Sequence, residues 1–523
     1  MAHKVKSRVN MTAFLLFTVL LLSCLLAACQ PTPLVPPVVN KAGGISGDMI
    51  AEPLAPGVVK DVDAPHWTET TTRMNGRITI NADVDIEIPE NLSNTPVYKL
   101  EQVELTPKRL AELTHYFVGD SKLYKPLPMT KFEGMEQLKK LKDPQSSFGE
   151  NDEFGINEMS KGLQTLIDKA PDTAVKEYTD LSFTLPYKPE KTRMMEASLD
   201  NLSAPQAERY VDVIAQTGEE YEPEICASTF DSAVGISGRF AFTYPGSFSS
   251  ERAMDVRNTR FSQMMSFSSY RDQETVKAYS SAFNKYTSLL NGVIDMITET
   301  PEQALSVAQA VLNDLGINDV SLDTIEKGVW QPRQPQEWDE FSTPVSKMQG
   351  GYEITFTRSA GQLAGFRLNY SSIPTDDMLT YTPPFRVEQV IMFVSNGKII
   401  AFDWRSMSKA IETIAANTNL IPFDEIKERF TDYVTYNYPY QEGPDGEMLK
   451  DSIKIDILSV ELRSSQITAK DDPYKAWLVP SWLIWFQFSY LDEYYNIETI
   501  DNIPCEINAL DGGIIIPVKL NRS

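Results

Sequence analysis

A chain of 523 residues, 42% hydrophobic and 10% aromatic, can bury more than one core, which excludes a disordered chain and a small disulfide-stapled one. Its 72 acidic against 48 basic residues leave a formal charge of −24, which argues against nucleic acid and anionic lipid as partners. Beyond residue 29 only Cys226 and Cys505, and only His66 and His115, remain, which excludes a thiolate zinc cluster and a multi-histidine metal centre.

The first 29 residues carry the most specific signal. Lys4, Lys6 and Arg8 form a positive start, and Met11 to Ala28 is uncharged and mostly apolar. The stretch ends in Leu26-Ala27-Ala28-Cys29, which resembles the lipobox of bacterial lipoproteins. That resemblance implies that residues 1–28 are a removable signal peptide and that the Cys29 thiol takes a diacylglyceryl group. The mature chain would then sit on the extracytoplasmic face of the cell membrane, held by palmitate-type acyl chains. An uncleaved anchor of about 18 residues or an ordinary secretory signal are the alternatives, but neither requires a cysteine at that position.

From Gln30 to about Pro65 the chain is rich in Pro, Val, Gly and Ala, so residues 29–65 read as a tether. Folded structure is expected from Ala64-Pro65-His66-Trp67, with a strand at Asp83-Val84-Asp85-Ile86-Glu87-Ile88, whose alternation marks one buried face. Thr106, Pro107 and the spacing of Leu110, Leu113 and Phe117 predict a capped helix ending at Gly119. Further helices are expected at 156–169 and 204–216, completing an N-terminal α+β domain over 66–270.

Residues 272–298 repeat apolar side chains by threes and fours from Val276 through Tyr286, Leu290 and Val293 to Ile297, a seam that packs on a neighbouring helix or sheet. Thr300 and Gln303 have the spacing of a capping box, with Pro301 in the first turn and Gly316 as a stop. Strands follow at 319–330, 351–358 and 387–395, the last turning at Asn396-Gly397 into Lys398 to Trp404. The same order recurs as a helix at 422–434, strands at 453–462, 475–488 and 504–510, and a turn at Asp511-Gly512. Asn-Gly and Asp-Gly favour type I′ hairpins. The expected fold is therefore α+β, with tandem helix-plus-antiparallel-sheet modules at 271–415 and 416–523 behind a lipidated flexible tether.

The lipobox, the tether, the 64–67 stretch, the strand from Asp83 and the terminal Ile507-Asn508-Ala509-Leu510-Asp511-Gly512 resemble a group of lipoproteins of Gram-positive anaerobes whose function is not assigned. Over about 300–518 the helix-then-sheet units also look like PepSY-type domains and tethered accessory regulators of a cell-wall histidine kinase. The first resemblance implies a location, and the second implies regulation through contact with another envelope protein. Neither brings functional residues with it.

Motifs for hydrolysis, phosphate binding and dinucleotide binding are absent, and no cofactor is expected. His66 and His115, the two histidines beyond the leader, read as packed structural residues. Asp83, Asp85 and Glu87 share a strand face that can hold calcium, but the ordinary reading is the wet side of a half-buried strand. Asn151-Asp152-Glu153 and Asp376-Asp377 lack the spacing of a calcium loop. Cys226 and Cys505 can form one bridge, although cysteines so far apart are more often buried separately. Trp477, Trp482 and Trp485 form the best candidate binding surface, with burial of a central strand as the default.

These readings point to an anchored, non-catalytic lipoprotein that acts by protein contact as an envelope accessory or regulatory subunit. A solute- or peptide-binding lipoprotein of a transport system is the first alternative, and a carboxylate-dependent envelope hydrolase the second.

Overall fold

Two large sheets, each with helices on one face, make up the body of the described residues. The computed structural model describes residues 45–64, 66–142, 153–183, 209–232, 235–251, 285–332, 345–366, 373–374, 380–381, 387–437, 453–469, 472–491 and 497–515. The first part contains β1 (His66–Arg73), β2 (Ile78–Glu87), β3 (Val97–Gln102), α1 (Pro107–Val118), β4 (Leu123–Tyr124), α2 (Lys131–Leu141), α3 (Glu153–Lys169), β5 (Arg209–Ala215), β6 (Glu224–Ser232), β7 (Gly235–Thr243) and β8 (Gly246–Ser250). The second contains α4 (285–295), α5 (Pro301–Asp314), β9 (Val320–Pro332), β10 (Gln349–Arg358), β11 (Ile373–Pro374), β12 (Thr380–Tyr381), β13 (Gln389–Ser395), β14 (Lys398–Arg405), β15 (Ser408–Ala415), α6 (Phe423–Asn437), β16 (Ile453–Ala469), β17 (Asp472–Leu491) and β18 (Ile497–Asn508).

The seven-stranded sheet has the order β1-β2-β16-β17-β3-β15, with β18 also on β17. Every pairing in it is antiparallel except β2 with β16. The nine-stranded sheet runs β4-β5-β6-β7-β14-β13-β10-β9-β8 and is antiparallel throughout. The α+β class is thus the observed one, and it is sheet-dominated.

Each helix is placed by its apolar spacing. In α6, Phe423, Ile426, Phe430 and Val434 share one face and pack on the seven-stranded sheet with Trp482, Ile484, Phe486 and Phe488. Trp67 meets Phe423 and Phe430 edge-on at 5.9 and 6.0 Å. On the other sheet, α5 begins with a complete capping box at Thr300 and Gln303. Its Ala304 and Ala308, small enough for close approach, share a core with Ile354, Val390 and Phe402. Helix α1 is capped by Thr106, whose hydroxyl accepts from the Arg109 N–H, and Phe117 stacks on Phe242 at 4.6 Å.

The helix-then-sheet order expected twice is present twice, but N-terminal strands complete both sheets. Strand β14 pairs with β7, and β16 lies parallel to β2. The boundaries expected at 270 and 415 therefore do not separate sheets. The described part of the 272–298 seam is α4, whose Leu290, Val293 and Ile294 pack on Val329 of β9; its first half lies outside the described residues.

Four local expectations are corrected. Residues 209–215 form strand β5, not a helix, because Val211 and Val213 are buried with Asp212 exposed between them. Ile78 to Glu87 is one continuous strand, its inward face extending from Ile78 and Ile80 to Val84 and Ile86. The turn at Asp511-Gly512 is not type I′. Only Gly512 takes a positive φ there, and Asn508 and Gly513 close a four-residue loop. At Asn396-Gly397 both residues do take positive φ, as that turn demands.

The fourth correction concerns the tether, whose last part is docked. Ile50 bridges Thr418, the Ala51 N–H donates to the Asn417 carbonyl, and Ile45 and Met49 pack against a cluster containing Val97 and Ala415. The Lys60 ammonium donates to Asn417 Oδ1 and to the Thr418 carbonyl at 3.1 and 2.7 Å.

Candidate functional site

The two sheets meet along a polar seam, and it is here that the buried charges collect. After β10 the chain crosses to the seven-stranded sheet, where Gly365 bridges Ser464 of β16. Alternation along β10 carries Ile354, Phe356 and Arg358 inward together, so Arg358 must find partners in the interior. Its Nε donates to Glu388 Oε2 at 2.8 Å, its Nη1 to the Asn318 carbonyl and its Nη2 to the Ser408 carbonyl. Glu388, fully buried, also accepts from Trp404 Nε1 at 2.7 Å and from the Ser408 hydroxyl at 2.6 Å. Every polar contact this pair requires is made, the condition under which a buried ion pair is tolerated.

A few residues further along, Asp323 of β9 reaches the other sheet. Arg463 of β16 donates from Nη1 to Asp323 Oδ1 at 2.9 Å, from Nε to Glu461 Oε2 at 2.6 Å, and to the Gly365 carbonyl. Strand register brings Glu461, Leu483 and Glu506 into one row, because Leu483 pairs with both glutamates. Glu506 is 2% exposed, beside the hydroxyl pair Ser465 and Ser481 at 2.5 Å. Burial pushes its carboxyl up to about 8, the nearby Asp323 charge adds to the rise, and a hydrogen bond from Ser465 opposes it. One guanidinium thus faces two carboxylates while a third, Glu506, holds its proton at neutral pH.

A protonated glutamate near a carboxylate has the ingredients of acid–base chemistry. Glycoside hydrolysis, however, needs two carboxyl groups flanking a scissile bond with room for substrate. Glu506 is buried between Leu483 of β17 on one side and Ile515, whose N–H donates to the Glu506 carbonyl, on the other. What the seam can do as built is hold the two sheets in one relative position and fix their register through directional bonds.

Most sequence-level candidates fall elsewhere. Trp482 belongs to the core, edge-on to Phe423 at 4.9 Å; Trp485 is half-buried against Phe366 at 5.6 Å, and Trp477 is half-buried among Val97 and Val479. The aromatic stretch thus packs on both faces of β17, with Trp482 in the core and Trp477 and Trp485 partly exposed. Cys226 and Cys505 are free thiols on strands of different sheets. Burial pushes Cys226 up to about 12 and Cys505 well above its ordinary range, so both are poor nucleophiles. Cys29, Asn151, Asp152 and Asp376-Asp377 lie outside the described residues.

His66, expected to be packed, is exposed. The hairpin register sets it opposite Asp85, and its ring nitrogens lie 2.7 Å from Asp85 Oδ1 and 3.1 Å from Asp83 Oδ1. Hydrogen bonds to the two carboxylates raise its pKa. Asp83, Asp85 and Glu87 are exposed, as a wet strand face requires, and no group of three or more His, Cys, Asp or Glu able to hold a metal ion occurs among the described residues. His115 is exposed at the end of α1, 3.4 Å from Asp120.

Motif reading does not find the seam because its residues come from β9, β10, the residue before β13, β16 and β18. A signal existed: Arg358 and Glu388 are charges at positions that alternation assigns inward, in step with Phe356 and Val390. No protein-family model and no curated protein matches the chain. It is similar in structure to an uncharacterized protein from Eubacterium rectale, at 11% identity and a TM-score of 0.40, over 85% of this chain and 92% of that one. It is also similar to the C-terminal domain of Bacillus megaterium YpeB, at 12% identity and a TM-score of 0.17, over 62% of this chain and 94% of that one. Likenesses of this size carry no activity across.

Proposed function

We propose that this protein is a membrane-anchored extracytoplasmic lipoprotein, non-catalytic, acting by protein contact as an accessory or regulatory subunit of the cell envelope. The observation that carries the proposal is the run of Lys4, Lys6 and Arg8, the uncharged stretch from Met11 to Ala28, and Leu26-Ala27-Ala28-Cys29. Two acyl chains on Cys29 give stable anchoring, which one does not. Roughly 15 residues then separate Cys29 from the docked segment at 45, a reach of at most about 50 Å. The folded body works close to the membrane surface.

The regulatory half of the proposal is supported by the paired helix-plus-sheet units, α5 with β9, β10, β13 and β14, and α6 with β16, β17 and β18. Their order is the one the PepSY-like resemblance rests on. No helix among the described residues is long and apolar enough to cross a membrane.

Metabolic labelling with an alkyne fatty acid tests the anchor. Wild-type chain is expected to be labelled and to sediment with membranes, while Cys29→Ala carries no label and keeps residues 1–28. Equal labelling of the variant, or an unlabelled wild type, would overturn the proposal.

A further inference from the structure

We propose that two copies of this chain associate edge to edge through β1, antiparallel, extending the seven-stranded sheet across a two-fold axis at Thr71. Strand β1 ends that sheet and is paired only with β2 among the described residues. Its eight residues keep unbroken register from His66 opposite Asp85 to Arg73 opposite Ile78, with no Pro, Gly or Lys. Open edges of this kind are templates for strand addition, and proteins usually blunt them. The other edges of the two large sheets are blunted among the described residues. Strand β15 carries two register irregularities, β4 has two residues, β8 has five, and β18 contains Pro504 and is covered near its end by Ile514 and Ile515.

The direction of the backbone groups fixes which residues form the new rungs. The Arg73 carbonyl accepts from the Arg77 N–H across the hairpin loop, so it points toward β2. The Thr72 carbonyl accepts instead from the Arg73 guanidinium, at 3.1 Å, so it points away. Carbonyl direction alternates along a strand, which leaves the even-numbered residues of β1 with outward N–H and C=O groups. With the axis at Thr71, Thr70 of one copy faces Thr72 of the other, and these two outward rungs bond to each other.

Charge selects the occupant. The same axis sets Glu69 opposite Arg73, twice, at non-hydrogen-bonded positions where facing side chains are closest. Both side chains are exposed and lie on the face that carries Trp67, so they meet on the same side. Moving the axis to Thr70 puts Arg73 opposite Trp67, and moving it to Thr72 puts Glu69 opposite Asn75. Only the Thr71 axis matches each charge with its opposite, so the strand is its own complement. On association the Arg73 guanidinium leaves the Thr71 hydroxyl and the Thr72 carbonyl, the Glu69 carboxylate turns from the Trp67 indole N–H, and the Thr72 carbonyl takes the N–H of Thr70 from the second copy.

The test is oxidative crosslinking of the full chain in membranes, read on a non-reducing gel. Thr71→Cys is expected to give a dimer, because Cα atoms facing at a non-hydrogen-bonded pair fall within disulfide range. Thr68→Cys, whose facing residue is Met74, is expected to give none. On the Thr71→Cys background, Glu69→Arg is expected to weaken association about tenfold, and adding Arg73→Glu to restore it. A Thr71→Cys chain that stays monomeric, or equal crosslinking at Thr68→Cys, would overturn the proposal. If Glu69→Arg disturbs folding, as judged by circular dichroism, the two cysteine positions decide it alone.

Discussion

Glu506 adds a pH dependence of its own to the stability of the fold. In the unfolded chain its carboxyl titrates near the ordinary 4.5; in the folded chain burial moves it to about 8. Between those values the unfolded state has released the proton and the folded state still holds it. Stability therefore falls as pH rises from about 4.5 to about 8, by roughly 1.4 kcal/mol per pH unit for this one group, and the contribution is flat outside that window. Glu506→Gln keeps the shape and removes the charge, so its urea midpoint is expected to depend less on pH, by the equivalent of one proton, between pH 5 and 8. Parallel curves for variant and wild type would contradict the assignment. Arg358 and Glu388 behave differently, since each is the other's counter-charge. Removing one strands a buried ion, at a cost of about 3–5 kcal/mol, whereas removing both with apolar replacements of similar size costs far less.

The N-terminal strap is held by a polar knot as well as by apolar contacts. Asn417 ties three segments: its Oδ1 accepts from Lys60 Nζ and from the Thr95 N–H, and its Nδ2 donates to the Glu52 carbonyl. Asn417→Ala is expected to cost about 1–3 kcal/mol and to speed amide exchange in residues 46–60 while leaving α6 protected. Unchanged exchange in the strap would show that its apolar contacts at Ile45 and Met49 hold it without the polar knot. The strap was not legible in the sequence, because Pro, Gly and Val without a period look alike whether free or docked. Elements with strong local signals were legible: the caps at Thr106 and Thr300, and the Asn396-Gly397 turn, are each set by a handful of adjacent residues. Strand β5 was misread because Val211, Val213 and Ile214 fit a helical face as well as an alternating one, and only pairing with β6 decides. The clip between His66 and Asp85 depends on hairpin register, and the seam on contacts between residues far apart in sequence. Neither leaves a local trace beyond a charge in an inward position.

At the scale of the whole molecule, two helix-backed sheets share strands from both ends of the chain. Strand β2 lies beside β16, and β7 beside β14. The body is thus one interleaved unit whose sheets are bolted along the seam by Arg358 and Arg463. Its buried carboxyl Glu506 lies in the interior, and its aromatic strand β17 packs mostly into the core. On the proposed reading, an anchored protein of this build would act through what it touches. The most direct measurement is crosslinking of the tagged full-length chain in its native cells, followed by mass spectrometry of what co-purifies. The account predicts one envelope protein in stoichiometric yield, besides any second copy of the chain; recovery of the chain with no other envelope protein would contradict action by protein contact.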